Sequence, residues 1–356
     1  MPGKVETGFP SGMATKDAGE ETRGNCMPTV LLTHTPDMLA NYYGDRALAA
    51  LRALCDVRLN DTGKVLDAAA LAKLAQGCEI IVSDRQTPGP AEFFAQAPAS
   101  LAAFLRVAVD IRNIDVAAAS KIGVLVTHAT PGFIPSVAEQ TIGFMVDLGR
   151  HVSAYTAEYR AGRDPEPAMG RQLAGATLGI LGYGAIGEYL ARLGVALGMK
   201  VMVSDPFKTV SEPGITQGTF EDVVAASDFL VCLVIANEET ENMMNAAAFT
   251  RMKKTAFFIN MSRGNLVDER ALEDALDRKL IAGAAMDVGR APDQKPSLFL
   301  AKRPDVIATP HTAGLTPDAA EHQAFDTVNQ VKELLAGRMP PGAANAGTAH
   351  RLSAFG

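Results

Sequence analysis

Long apolar runs are missing from this 356-residue chain. None approaches the roughly 18 residues that a membrane-spanning helix needs, and residues 229–236 form one of the longest. An excess of positive charge is missing too, because 33 lysines and arginines face 40 aspartates and glutamates for a net charge of -7. That balance gives no electrostatic reason to bind nucleic acid or an anionic membrane. Cysteine is sparse: Cys26, Cys55, Cys78 and Cys232 show neither a C-x-x-C pair nor metal-ligand spacing. The six histidines are scattered, so no metal site is expected. The thiols read as reduced and mostly buried, as in a cytoplasmic protein. Residues 1–26 lack the basic start and apolar centre of a signal peptide. Polar, glycine-rich and aperiodic, they read as a disordered extension to a fold that begins near Met27.

What is present is a globular balance, 47% hydrophobic and 21% charged, with enough length for two domains. The chain is organised around residues 177–205. A short apolar run at 178–181 reads as a buried strand and stops at Gly182-Tyr183-Gly184-Ala185-Ile186-Gly187, a G-x-G-x-x-G turn. Apolar residues then recur with helical spacing at Ile186, Tyr189, Leu190, Leu193 and Leu197. Gly198 ends that helix, and a second strand from Val201 delivers Asp205, 18 residues after Gly187. Each part serves a dinucleotide. Gly182 permits the tight turn, Gly184 lets the backbone approach a pyrophosphate, and Gly187 lets helix and strand pack closely. The helix N-terminus holds the phosphates through its amides and positive dipole. Asp205 accepts hydrogen bonds from both hydroxyls of an adenosine ribose and repels a 2′-phosphate. NAD is therefore expected rather than NADP.

Strands and helices alternate on either side of this motif. Strands are expected at 30–32, 57–59, 80–82, 105–109 and 124–127, with helices at 48–54, 68–75 and 116–121. A long helix opens at Pro135. Beyond Asp205, strands are expected at 230–234, 256–259, 283–286 and 306–308. Helices fall at 220–226, 247–252 and 268–276, the last N-capped by Asp268. An amphipathic helix at 317–335 carries the chain back. The pattern predicts an α/β fold of two Rossmann-like, doubly wound parallel-sheet domains, with the active site in the cleft between them. The substrate domain spans 27–129 and is completed by 317–345. The NAD-binding domain spans 130–316 and the tail 346–356, and residues 340–356 read as loosely ordered. Ligands of such sheets lie at the carboxyl ends of the strands. Arg85, Asp110 and Arg112 are therefore candidate substrate-binding residues at the cleft mouth.

Three strand ends of the second half carry polar groups. They are Asn260-Met261-Ser262-Arg263-Gly264, Asp287, and Thr309-Pro310-His311-Thr312-Ala313-Gly314. Arg263 can grip a carboxylate with two parallel hydrogen bonds, and His311 can exchange a proton near neutral pH. A cofactor that takes hydride, a cation that fixes a 2-oxo acid and a base for the hydroxyl proton make a complete oxidation site. On residue type alone, a structural ion pair at Arg263 and a satisfied, non-catalytic His311 compete evenly with these roles.

Several stretches resemble the D-isomer-specific 2-hydroxyacid dehydrogenase family. They are residues 173–180 leading into the glycine turn, 259–272 (INMSRGNLVDERAL), 282–288 (AGAAMDV) and 309–314, with Asn113-Ile114-Asp115 and Ser136-Val137-Ala138-Glu139 in the first half. The likeness covers roughly residues 28–345. It implies NAD-linked interconversion of a D-2-hydroxy acid and a 2-oxo acid, with Arg263 on the substrate carboxylate and carbonyl and His311 as acid/base. It implies that Asp287 meets the nicotinamide side of the cofactor, with Val234, Met261, Ser262 and Gly314 around it. A homodimer through the helix after Pro135 is also implied. The chain departs from the family at 287–294 (DVGRAPDQ), where the glutamate that usually pairs with the histidine is absent. Asp293 is one candidate to replace it as a catalytic residue, and Gln294 is a neutral second. Leu233 and Ile235 replace a frequent histidine and proline beside the cofactor. Two alternatives stay open: a formate-dehydrogenase-like enzyme, which pairs glutamine with the histidine, and an NAD-sensing protein without catalysis.

Overall fold

The computed structural model describes residues 27–355, and the extension at 1–26 lies outside the described residues. The first domain runs through β1 (Thr29–Leu32), α1 (Pro36–Tyr42), α2 (Asp45–Arg52), β2 (Asp56–Leu59), α3 (Ala68–Leu74) and β3 (Ile80–Ser83). It continues with α4 (Ala91–Ala95), β4 (Ala103–Arg106), α5 (Val116–Lys121) and β5 (Leu125–Thr127). Its five strands are parallel in the order β2-β1-β3-β4-β5. β3 and β4 are buried along their whole length, as strands covered on both faces must be. Phe93, Phe94 and Phe104 pack edge-to-face under one side. Fully burying each stabilises the fold by about 1.5–3 kcal/mol.

Two helices follow, α6 (Ile134–Arg150) and α7 (Val152–Arg160). The second sheet is built from β6 (Thr177–Leu181), α8 (Ala185–Ala196), β7 (Lys200–Ser204), β8 (Ile215–Gln217), α9 (Phe220–Ala226) and β9 (Phe229–Cys232). Then come α10 (Ala246–Arg251), β10 (Phe257–Asn260), α11 (Glu269–Asp277), β11 (Gly283–Met286), α12 (Leu298–Ala301) and β12 (Val306–Ala308). Its order is β12-β11-β10-β9-β6-β7-β8, again all parallel. α6 and α8 share the core on one face, and α10 and α11 that on the other.

α13 (Pro317–Leu335) returns to the first domain. Its Ala324, Val328, Val331 and Leu334 join the core over β1, β3 and β4. Inside this seam Thr127 donates to Gln330 at 2.7 Å, and the hydroxyls of Tyr43 and Thr327 lie 3.2 Å apart.

The tail corrects an expectation. Residues 346–355 are not loose: two short 3-10 turns (Ala346–Thr348 and His350–Ala354) lie against β5. The Asn345 side chain donates to the Val124 carbonyl and accepts from the Val126 amide, and Arg351 donates to the carbonyls of Pro98 and Leu101. Backbone groups of the first sheet thus find partners that no periodic signal announces.

Candidate active site

The second sheet changes direction between β6 and β9, which opens a crevice at their carboxyl ends. The glycine turn fills it. Gly182 has φ 91, a backbone open to glycine, and a Cβ on Gly187 would lie 2.2 Å from the Gly182 carbonyl oxygen. Helix and turn therefore meet as the motif requires. Gly184 precedes α8 with no side-chain cap, and nothing lies within 4 Å of where a Cβ would project. The first amides of α8 (Ala185, Ile186) are thus open to an anion. Asp205 ties the turn to the end of β7, accepting from the Tyr183 amide at 2.7 Å and from those of Phe207 and Lys208 at 2.8 and 3.1 Å. Ser262 donates to the Val234 carbonyl at 2.6 Å, and the Met261 amide to Cys232 at 3.2 Å, so the ends of β9 and β10 close beside the turn. Phe207 and Ile235 are exposed apolar side chains next to Asp205 and Val234. These residues fit a dinucleotide, and the one sequence signal for exposed Phe207 is its place two residues past the acid.

Arg263 leaves a turn built by Asn260, a buried side chain that donates to the Arg263 carbonyl at 2.9 Å and accepts from the Ser262 amide at 3.2 Å. Among the described residues Arg263 has no ion pair; its guanidinium donates to the Ser262 carbonyl at 2.7 Å. Burial lowers its pKa, Arg112 and Arg85 push the same way, and Asp110 opposes them. The structural ion pair weighed from the sequence is therefore not what holds Arg263.

The loop after β11 touches the Arg263 turn, for a Cβ on Gly264 would lie 2.1 Å from the Gly289 carbonyl carbon. Buried Glu269 pins this loop by accepting from the Arg290 amide at 3.0 Å and the Ser297 hydroxyl at 2.6 Å. Asp293 and Gln294 both adopt φ 59. That left-handed pair turns the Asp293 carbonyl onto His311 Nδ1 at 2.9 Å. Asp293 thus meets the histidine, but not through its carboxylate as expected. The carboxylate points to solvent, 3.9 Å from Lys295 Nζ, with its side chain 84% exposed. The Gln294 carbonyl accepts from Gly289 at 2.8 Å. A carbonyl can only accept, so Nδ1 carries a proton and Nε2 is left to exchange one.

Asp287 lies beneath the same loop and is 2% exposed. Its carboxylate accepts from the Thr309 hydroxyl at 2.5 Å, the Gln140 amide at 3.3 Å, and the Thr312 and Ala313 amides at 2.9 and 3.0 Å. Its carbonyl accepts from the His311 amide at 2.9 Å, which supports His311 at φ 59. In this structure Asp287 positions the His311 loop.

On the first domain, Arg85 rides on the loop after β3. Buried Arg106 donates to the Thr87 carbonyl and the Ser83 hydroxyl at 3.0 Å each, and also to the Arg85 carbonyl. Burial lowers the Arg106 pKa to about 10, which leaves it charged. Asp110 and Arg112, expected to face the substrate, close on each other. Arg112 Nε lies 3.0 Å from both Asp110 carboxylate oxygens, and that bond is the largest cause holding Asp110 at about 2. Gly314 stands at the domain junction against Phe133.

A profile of the family described as "D-isomer specific 2-hydroxyacid dehydrogenase, NAD binding domain" matches residues 142–313. The (S)-sulfolactate dehydrogenase of Chromohalobacter salexigens is 32% identical over 305 residues, 84% of this chain and 97% of that protein. The D-3-phosphoglycerate dehydrogenase of Synechocystis sp. is 32% identical over 250 residues, 69% of this chain and 45% of that protein. The chain spans about half the length of the phosphoglycerate dehydrogenases it matches. A D-isomer specific 2-hydroxyacid dehydrogenase from Lactobacillus delbrueckii ssp. bulgaricus, solved in its NAD complexed form, has TM-score 0.76 and 25% identity. It covers 90% of this chain and 100% of that one.

Proposed function

The chain belongs to the D-isomer specific 2-hydroxyacid dehydrogenase family, and on that premise we propose that it interconverts a D-2-hydroxy acid and a 2-oxo acid with NAD. One observation carries this reading. A guanidinium with no ion pair among the described residues, Arg263, and an imidazole whose Nδ1 is fixed by a carbonyl, His311, stand on the loops after β10 and β12, one on each side of β11, on the same sheet edge as the glycine turn. Arg263 orients the acid by its carboxylate and polarises the C2 oxygen. His311 Nε2 takes the hydroxyl proton in oxidation and returns it in reduction. The chemistry NAD supplies when bound is hydride transfer at C2. Closure of the cleft excludes water from that transfer. The formate-dehydrogenase-like alternative rested on Gln294 as partner of His311, and the carbonyl at Asp293 occupies that place.

The test is a panel of 2-oxo acids read by loss of NADH absorbance; no turnover of any of them would leave only the binding role. NADH should be preferred over NADPH at least roughly tenfold in kcat/KM, since a misplaced charge costs on the order of 1.4 kcal/mol or more. Asp205→Ala should narrow the gap chiefly by weakening NADH, because it also frees the Tyr183 amide that shapes the turn. Equal use of both cofactors by the unaltered protein sinks that assignment.

We place the protein in the cytoplasm as a homodimer joined through the α6–α7 face, where Val146, Val152 and Tyr159 are exposed. Among the described residues no helix is long and apolar enough to cross a membrane. Sedimentation at twice the chain mass is expected, and a monomer at micromolar concentration would refute the pairing.

A further inference from the structure

The first sheet has a change of direction of its own, between β1 and β3, and a cavity of about 880 Å³ opens there. His34, just past β1, and Arg85, just past β3, line it, and Gly314, three residues beyond His311, lies on the facing wall. The cavity therefore runs from the His311 loop into the substrate domain. His34 is 2% exposed, and its Nδ1 has no hydrogen-bond partner. Its ring is held edge-on against Tyr43 at 5.2 Å. Burial pushes its pKa down to about 4 against the pull of Asp84, so the imidazole is neutral at physiological pH. A buried ring nitrogen left unpaired is costly unless a ligand or water meets it.

The charges of the cavity wall are otherwise engaged. Asp84 accepts from Thr33 at 2.6 Å and from the Gln86 and Thr87 amides, and Glu321 pairs with Arg46 at 2.9 Å. Asp45 and Asp318 lie in the first turns of α2 and α13, whose positive ends they offset. Arg85 is exposed and has no ion pair among the described residues. Across the cleft Arg263 likewise has no ion pair among the described residues, and Arg112 and Arg85 both act against its charge while Asp110 favours it. The carboxylate of a 2-oxo acid balances either Arg85 or Arg263 and leaves the other.

We infer that this cavity is the subsite for the non-reacting end of the substrate, and that this end carries a second acidic group. Arg85 grips that group and His34 donates a hydrogen bond to it. The inference rests on the oxidoreductase reading and narrows it to 2-oxo diacids and their hydroxy forms.

The experiment compares two acids of equal length, 2-oxopentanedioate and 2-oxopentanoate, with NADH. The diacid should be favoured roughly tenfold or more in kcat/KM. Arg85→Gln, on an exposed loop, should bring the ratio near one by raising KM for the diacid, and His34→Phe should reduce it in the same sense. Equal use of the two acids, or an Arg85→Gln loss shared alike by both, overturns the inference. A second readout needs no turnover: pentanedioate should raise the Tm of the NADH-loaded protein more than pentanoate does, and Arg85→Gln should abolish the difference. That difference without turnover of any acid would refute the oxidoreductase reading and keep the subsite. Turnover without the difference would do the reverse.

Discussion

Replacing His311 by asparagine is expected to lower kcat by roughly 10³-fold or more while NADH binds as before. The substitution is chosen for its backbone. His311 sits at φ 59, a conformation that asparagine tolerates better than most residues, so the loop should survive the change. The amide bonds to Asp287 and Thr309 do not involve the side chain and remain. What disappears is a group that exchanges a proton. Steady-state rates and a fluorescence titration of NADH read the two effects separately. Activity within tenfold of the unaltered protein would remove His311 from the chemistry. Asp293→Asn is the companion control. It keeps the carbonyl that holds Nδ1 and alters only a solvent-facing carboxylate, so rates and pH profile should both stay where they are. A shifted profile in that variant would bring the carboxylate back as the partner.

Arg263→Lys is expected to lose roughly 10²-fold or more in kcat/KM, although the charge is retained. An ammonium is a point donor and cannot span both oxygens of a carboxylate as the planar fork does. Among the described residues no carboxylate pairs with Arg263, and only one of its donors is taken, by the Ser262 carbonyl, so the loss should fall on substrate rather than on folding. Near-normal turnover with an unchanged melting temperature would show that the grip belongs elsewhere. A large drop in melting temperature would mean that the Asn260 turn depends on Arg263.

The glycine turn and Asp205 were legible because spacing alone encodes them: a strand, a tight turn, a helix and an acid each have a side-chain or glycine signature. Buried strands such as β10 and β11 stand out as short apolar runs for the same reason. The partner of His311 was not legible. A sequence displays the carboxylate of Asp293, whereas the bond is made by its carbonyl, aimed by two successive left-handed residues of which neither is glycine. Gln140 carries no local signal because it reaches Asp287 and Thr309 from α6, over sequence separations of 147 and 169 residues. The pairing of His34 with Arg85 depends on β1 lying beside β3, and strand order is not written in any local pattern. The short elements α4, α12 and β8 lack the length for a period to show, and the closing turns after α13 are held by Asn345 and Arg351 rather than by apolar repetition.

α13 and those turns also set an order of events. They leave the ribosome after the second domain, yet they cover one face of the sheet made before that domain. The second domain is translated whole between the two parts of the first, and its strands need nothing from the C-terminal segment. Throughout that interval the apolar face under α13, with Val30, Val82 and Leu105 among its residues, is covered only by Tyr43 and by Ala47, Leu48 and Leu51 of α2. The first domain therefore completes its core only after its neighbour has been made, and until then part of its apolar face is open to water.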